Sequence, residues 1–209
     1  HTDDFSHSVF HTPAGPWFAV GEHEVHAEEH QGSFDIEIRE SFTCSYPRFT
    51  RAMVGEGALK LSGIFDDGDP HCMDTTFSLL ICEQSENRLS FTLTPDSSSA
   101  LNFSKIQVRS HAGERIYGMG EQFPHDTLNL KGREIGVISE EGGVGRGHPI
   151  ISTAVDLVSP GSAGNEGTTY YAAPHYITSD LHSVFLKNTA YAVFDFEEDE
   201  HTEIRLYDE

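Results

Sequence analysis

The segment Glu140-Glu-Gly-Gly-Val-Gly-Arg-Gly places two carboxylates and a guanidinium on a glycine-rich backbone. Bidentate acceptors and a planar donor suit the paired hydroxyls of a sugar. Glu140, Glu141 and Arg146 are therefore candidate substrate ligands. Tyr170, Tyr171, His175 and Tyr176 follow a second glycine-rich stretch and offer rings that stack on sugar faces. The run does not fit a phosphate loop, because it lacks GxxxxGK[ST] and two acids open it. No carboxylate pair of glycosidase type stands out among so many acids. Glu121 sits in the tight context Ile116-Tyr-Gly-Met-Gly-Glu-Gln-Phe and reads as a buried carboxylate capping backbone N–H groups. There is no GxSxG nucleophile elbow and no reactive-cysteine context.

Metal chemistry is weakly signalled. His23, His26 and His30, with Glu22, Glu24 and Glu29 nearby, would share a helical face, but in a strand His23 and His26 point to opposite sides. A solvated hairpin end is the preferred reading there. His71-Cys72 beside Asp74 lacks a second ligand pair. The three cysteines, Cys44, Cys72 and Cys82, give no paired framework, so a disulfide scaffold is not expected, and Cys72 and Cys82 read as small core hydrophobes. No cofactor is expected.

The elements that must carry these residues are short and alternating. Phe34-Asp-Ile-Glu-Ile sets Phe34, Ile36 and Ile38 on one face and acids on the other. Strands are predicted over Ala58–Phe65, Thr75–Glu83, Arg88–Leu93, Ile106–Ser110, Ser183–Leu186, Ala190–Phe196 and Thr202–Leu206, separated by Gly, Pro, Asp and Ser turns. A sandwich of two large antiparallel sheets follows, in one domain. Residues 132–167 break the rhythm as a long glycine-rich loop, with no helix expected in it. Long loops in compact domains commonly carry function.

The chain has 209 residues, with 13 Lys+Arg against 34 Asp+Glu and a formal net charge of −21. That charge repels nucleic-acid backbones and anionic membrane surfaces, so neither is an expected partner. No apolar run approaches the ~20 residues that span a bilayer. A soluble protein is expected, with compartment and oligomeric state open.

Glu114-Arg-Ile-Tyr-Gly-Met-Gly-Glu-Gln-Phe followed by Leu128-Asn-Leu-Lys-Gly resembles the "ERxYGLGEQF…LDLKG" segment in the N-terminal domain of glycoside hydrolase family 31. Glu141-Gly-Gly-Val-Gly-Arg-Gly is similar to the "EQGVGRG" loop of that family's sulfoquinovosidase-like branch, with Gly142 in place of Gln. Tyr170–Ser179 resembles "TYFPQPxFVS", and Val184–Tyr191 with Phe194-Asp-Phe resembles "GxxLxNTAYxxFDF". The resemblance implies an all-β, galactose-mutarotase-like antiparallel super-β-sandwich. It also implies a catalytic (β/α)₈ barrel, which residues 1–209 do not contain and which would be this lobe's partner. Gly118, Gly120, Glu121, Gln122 and Phe123 belong to its structural motif. The implied whole is a retaining hydrolase of an α-linked glycoside, either an α-glucoside or a sulfoquinovoside. The lobe alone should be inactive, its Glu140–Gly147 loop helping to close the substrate pocket. A stand-alone sugar-binding module with a Tyr170, Tyr171 and Tyr176 platform is the alternative, and an aldose 1-epimerase-like protein, implied by the shared fold with Glu121 as base and His125 as acid, ranks last because the two are only four residues apart.

Overall fold

A computed structural model of the protein describes residues 10–30, 32–122, 127–140, 143, 148–165 and 167–208. Thirteen strands occur among them. The first seven are β1 (Phe18–His30), β2 (Ser33–Cys44), β3 (Pro47–Gly55), β4 (Ala58–Phe65), β5 (Thr76–Ser85), β6 (Arg88–Asp96) and β7 (Phe103–Arg109). The remaining six are β8 (Ile116–Gly120), β9 (Glu134–Gly136), β10 (Ala172–Thr178), β11 (Ser183–Phe185), β12 (Tyr191–Asp195) and β13 (His201–Tyr207). One helix, α1, spans Pro149–Val158. The architecture is all-β, and every strand pairing given below is antiparallel.

The described chain divides into two compact units, one of His1–His23 with Glu40–Arg109 and one of Glu24–Arg39 with Ser110–Glu209. In the first unit β3, β4, β5 and β6 form an antiparallel meander in that order. The start of β1 pairs with β7, from Phe18 opposite Ile106 to Gly21 opposite Phe103. Alternate residues point inward: Phe18 and Val20, Phe42 and Cys44, Phe65, and Phe77 share one buried cluster. Phe77 sets its ring edge-on to Phe18 at 5.0 Å between centroids. Rings in this arrangement contribute beyond the area they bury.

Cys44 and Cys72 are joined by a disulfide, with Cα atoms 5.6 Å apart, and both are buried in that cluster. This corrects the reading of the cysteines as unpaired. An odd count leaves one thiol over, here Cys82, without preventing one bridge. The end of β2 meets a single 3₁₀ turn, Pro70–Cys72, because Asp69 accepts a hydrogen bond from His71 N at 2.8 Å and starts the turn. His71 then stacks on Phe42 at 4.8 Å. Cys72, tied to Cys44, is not available as a metal ligand.

His23 is also buried in this unit. Its ring stacks on Phe103 at 3.8 Å and its Nε2 lies 3.0 Å from Thr43 Oγ1, while Asn102 bonds both its backbone N–H and its carbonyl. Burial holds the imidazole below its ordinary pKa, Lys105 reinforces the effect, and Glu40 opposes it.

The second unit contains the three-stranded sheet β11-β10-β8 and the antiparallel set β13-β12-β9. Its core gathers Ile116, Met119, Leu130, Ile135, Tyr176, Phe194, Phe196 and Ile204. Tyr176 lies edge-on to Phe196 at 5.2 Å and to Phe194 at 6.0 Å. Burial raises its phenol pKa, so the hydroxyl stays protonated and bonds Thr202. The outer part of β1 and the start of β2 form a hairpin end in this unit, with Gly32 N donating to Glu29 Oε1 at 2.6 Å. The Glu22–His30 stretch is thus extended, as the hairpin reading requires. Among the described residues no helix is long and apolar enough to cross a membrane.

Candidate functional site

The glycine-rich region is anchored at Glu140 and at Gly143. Glu140 N donates to Thr169 O at 2.8 Å, and Glu140 Oε1 accepts from Phe34 N at 2.8 Å. The residue is 8% exposed. Its carboxylate thus grips the hairpin end, 106 residues away in sequence. Gly143 N donates to Ser162 O at 3.1 Å. Gly164, at φ +64°, leaves room for Gly143, since a Cβ there would lie 2.5 Å from the Gly143 Cα and 2.7 Å from Thr168 Oγ1. Glu141 and Arg146, the other two candidate ligands in this run, lie outside the described residues.

Within the stretch expected to be loop, residues 149–158 form α1. Pro149 occupies its first turn and His148 caps it, Nδ1 accepting from Ile151 N at 3.4 Å. No residue of the helix is buried, yet Ile151, Ala154, Val155 and Val158 share one side and Ser152, Thr153 and Asp156 the other, which is the helical period. Asp156 Oδ1 accepts from Ala163 N at 3.3 Å and ties the helix to the turn that follows.

The motif around Glu121 is structural in its backbone. Gly120, at φ +89°, brings β8 against β10 so closely that a Cβ would strike Tyr171 O. Gly118 is likewise at positive φ, +123°. Glu121 N donates to Tyr171 O at 2.9 Å, Thr169 Oγ1 donates to Glu121 O, and Gln122 Nε2 donates to Met119 O at 3.1 Å. The Glu121 side chain itself is exposed, which corrects the reading of a buried capping carboxylate: the backbone on either side of it makes the bonds. Phe123 and His125 lie outside the described residues.

A polar clasp holds this motif to its neighbours, and the sequence reading did not single it out. Lys131 Nζ donates to Ser110 Oγ at 2.9 Å and to Glu198 O at 2.7 Å, and Ser110 Oγ donates to the buried Glu114 Oε2 at 2.6 Å. Burial lowers the Lys131 pKa, and Glu114, Asp199 and Glu198 oppose that effect. Asn129 Oδ1 accepts from Ile116 N at 2.8 Å. The spacing of Glu114 and Lys131 within one motif was the available signal.

The aromatic candidates separate. Tyr170 and Tyr171 are exposed, Tyr171 at 67%, beside the Glu121 backbone. Tyr176 is 2% exposed and belongs to the core, which removes it from any stacking platform. His175 is exposed on β10 and sets its ring edge-on to Phe185 at 6.2 Å. The described residues therefore bring Glu140, Thr169, Tyr171 and the Glu121 backbone together. Among them no group of three or more His, Cys, Asp or Glu is placed to hold a metal ion.

With this geometry in view, residues 14–195 match the Glycosyl hydrolase 31 N-terminal galactose mutarotase-like domain, and the chain belongs to that family. The fold is accordingly a galactose-mutarotase-like antiparallel β-sandwich. The chain is 25% identical over 197 residues to a sulfoquinovosidase of Agrobacterium fabrum, covering 94% of this chain and 27% of that relative. It is 28% identical over 138 residues to a sulfoquinovosidase of Escherichia coli, covering 65% of this chain and 20% of the relative. A family 31 sulfoquinovosidase from E. rectale, solved with the aza-sugar inhibitor IFGSQ, superposes with a TM-score of 0.77 at 22% identity. That superposition covers 95% of this chain and 28% of that one. The chain thus spans about a quarter of the length of the relatives it matches.

Proposed function

We propose that this chain is the N-terminal, non-catalytic lobe of a retaining α-glycoside hydrolase, with a sulfoquinovoside or an α-glucoside as substrate. The observation that carries the reading is the family match over residues 14–195 in a chain that spans 27% of a sulfoquinovosidase. The chemistry would belong to a following barrel, whose two carboxyl groups, about 5–5.5 Å apart in retaining enzymes, perform the double displacement. The lobe's part is to pack on the barrel and to offer the Glu140–Gly147 segment to the pocket. In this reading Glu140 anchors the segment, while Glu141, Arg146 and Tyr171 face the sugar. The buried Cys44–Cys72 bridge supports folding in an oxidising, extracytoplasmic compartment.

The test is to purify the natural polypeptide from source cells and assay it on nitrophenyl α-sulfoquinovoside and α-glucoside. The product's anomeric configuration is followed by NMR. A polypeptide several-fold larger than 23.1 kDa that releases an α-configured sugar is expected. A larger polypeptide with no α-glycosidase activity, or one that inverts the anomeric centre, would overturn the reading.

A further inference from the structure

We propose that the outer face of the β8–β10–β11 sheet is the seat of the catalytic domain of the same polypeptide; this rests on the reading of the chain as a lobe of a larger hydrolase. The registers put Tyr117, Ile177 and Ser183 in one row and His175 and Phe185 in the next, all on one face. The opposite face carries Ile116, Tyr176 and Thr178, all buried. An antiparallel sheet that packs a core on one side and meets water on the other alternates apolar with polar residues. This sheet does not: Phe185 is 57% exposed and Ile177 47%, and Tyr117 is only half-buried.

The charge pattern points the same way. A chain with 34 acidic residues has no Asp, Glu, Lys or Arg among these five positions. Loss of charge at the centre of a patch, with aromatics retained, is the compositional mark of a buried contact. The apolar surface continues at Leu181, in the β10–β11 turn, which is almost fully exposed. Pro174, Phe185 and Leu186 line a shallow, open depression at the β11 edge, with Lys187, Asn188 and Thr189 beside them. Exposed apolar surface with a polar rim is characteristic of a docking site.

The occupant follows from length. The chain covers 27% and 20% of the two sulfoquinovosidases, so most of each relative lies outside the matched region and needs a surface to pack on. A following domain is held at high effective concentration by its covalent link, so a modest patch suffices to dock it. His175, packed on Phe185, belongs to this face.

Hydroxyl-radical labelling of the natural polypeptide, read by peptide mass spectrometry, tests the assignment, with intact mass measured on the same sample. Phe49 is the internal reference, because it is the same residue type and less exposed here, 45% against 57% for Phe185. By exposure in this chain alone, Phe185 would label faster. The expected result is a mass several-fold above 23.1 kDa with Phe185 labelled several-fold slower than Phe49, unchanged on dilution. A large polypeptide in which Phe185 labels as fast as Phe49 would overturn the docking face and leave the lobe reading standing. A mass near 23.1 kDa would overturn both. Protection that disappears on dilution would assign the face to a second copy and overturn the proposal.

Discussion

The two units solve the problem of holding short strands together by different means. The first uses a covalent tie inside an aromatic cluster: Cys44–Cys72 lies among Phe18, Phe42, Phe65 and Phe77. The second holds its core with Phe194, Phe196 and Tyr176 but secures its periphery through backbone approaches and polar pins. Gly120 admits Tyr171 O, Gly164 admits Gly143, and Glu140 takes Phe34 N. A glycine-rich region thus has a definite base without a dense packing of large side chains around it. Apolar packing and a crosslink give a unit that resists opening as a whole. Hydrogen-bond pins give one whose segments can open separately.

Phe194→Ala is the largest test on the second unit. The side chain is fully buried, and its removal should cost about 3–5 kcal/mol. Hydrogen exchange should then quicken at Ile204 and Phe196 well before Leu79. Uniform quickening would mean that the two units open as one, which breaks the comparison.

Cys44→Ala is the corresponding test on the first unit. The bridge closes a sequence separation of 28, for which the chain-entropy estimate is about 3–4 kcal/mol. Protection at Phe77 and Leu79 should fall, with that at Ile204 retained. If instead Ile204 loses as much protection as Leu79, the crosslink serves the whole chain.

Gly120→Ala sharpens the claim about close approach. The substitution meets both a positive φ and the Tyr171 carbonyl, so a loss of about 1–3 kcal/mol is expected in thermal unfolding of the natural polypeptide. An unchanged melting temperature would refute the need for glycine there.

His23 provides the smallest effect. Its folded-state pKa lies below the unfolded value of about 6.5, so the native state binds fewer protons than the unfolded chain near that pH. Its contribution is complete above about pH 6.5 and is lost as the pH falls through the folded-state pKa. Denaturation midpoints measured from pH 7.5 to 5 should fall for the wild type and flatten in His23→Gln. Parallel slopes would assign the acid sensitivity to other groups.

Strands with one buried face were readable, and β4 was delimited correctly at Ala58–Phe65 because its side chains alternate around a Gly63–Phe77 pairing. β3 was not, because Pro47–Gly55 is an exposed edge with two arginines and no alternation of burial. α1 was missed although Ile151, Ala154, Val155 and Val158 keep the helical period, because the run is short, rich in β-branched residues and set between glycine-rich segments that read as loop. The disulfide could not be read, since spacing in sequence does not say which turn meets which strand end. The glycine-rich region stood out from the strand rhythm by composition and by resemblance. The commitment of the Glu140 carboxylate to Phe34 N–H was hidden, because that partner is specified by the fold alone.

The hairpin end of β1 and β2 gives the chain a timetable. Residues 24–39 belong with residues 110–209, yet they are synthesised before residues 40–109, which complete the first unit. Phe34 N leaves the ribosome 106 residues ahead of the Glu140 carboxylate that receives it. At synthesis rates of ~5–20 residues per second, the tip waits on the order of 5–20 s with that donor unmet. During this interval the Glu24–Arg39 segment is without the residues that hold it in its unit, so its order waits on the synthesis of residues 110–209.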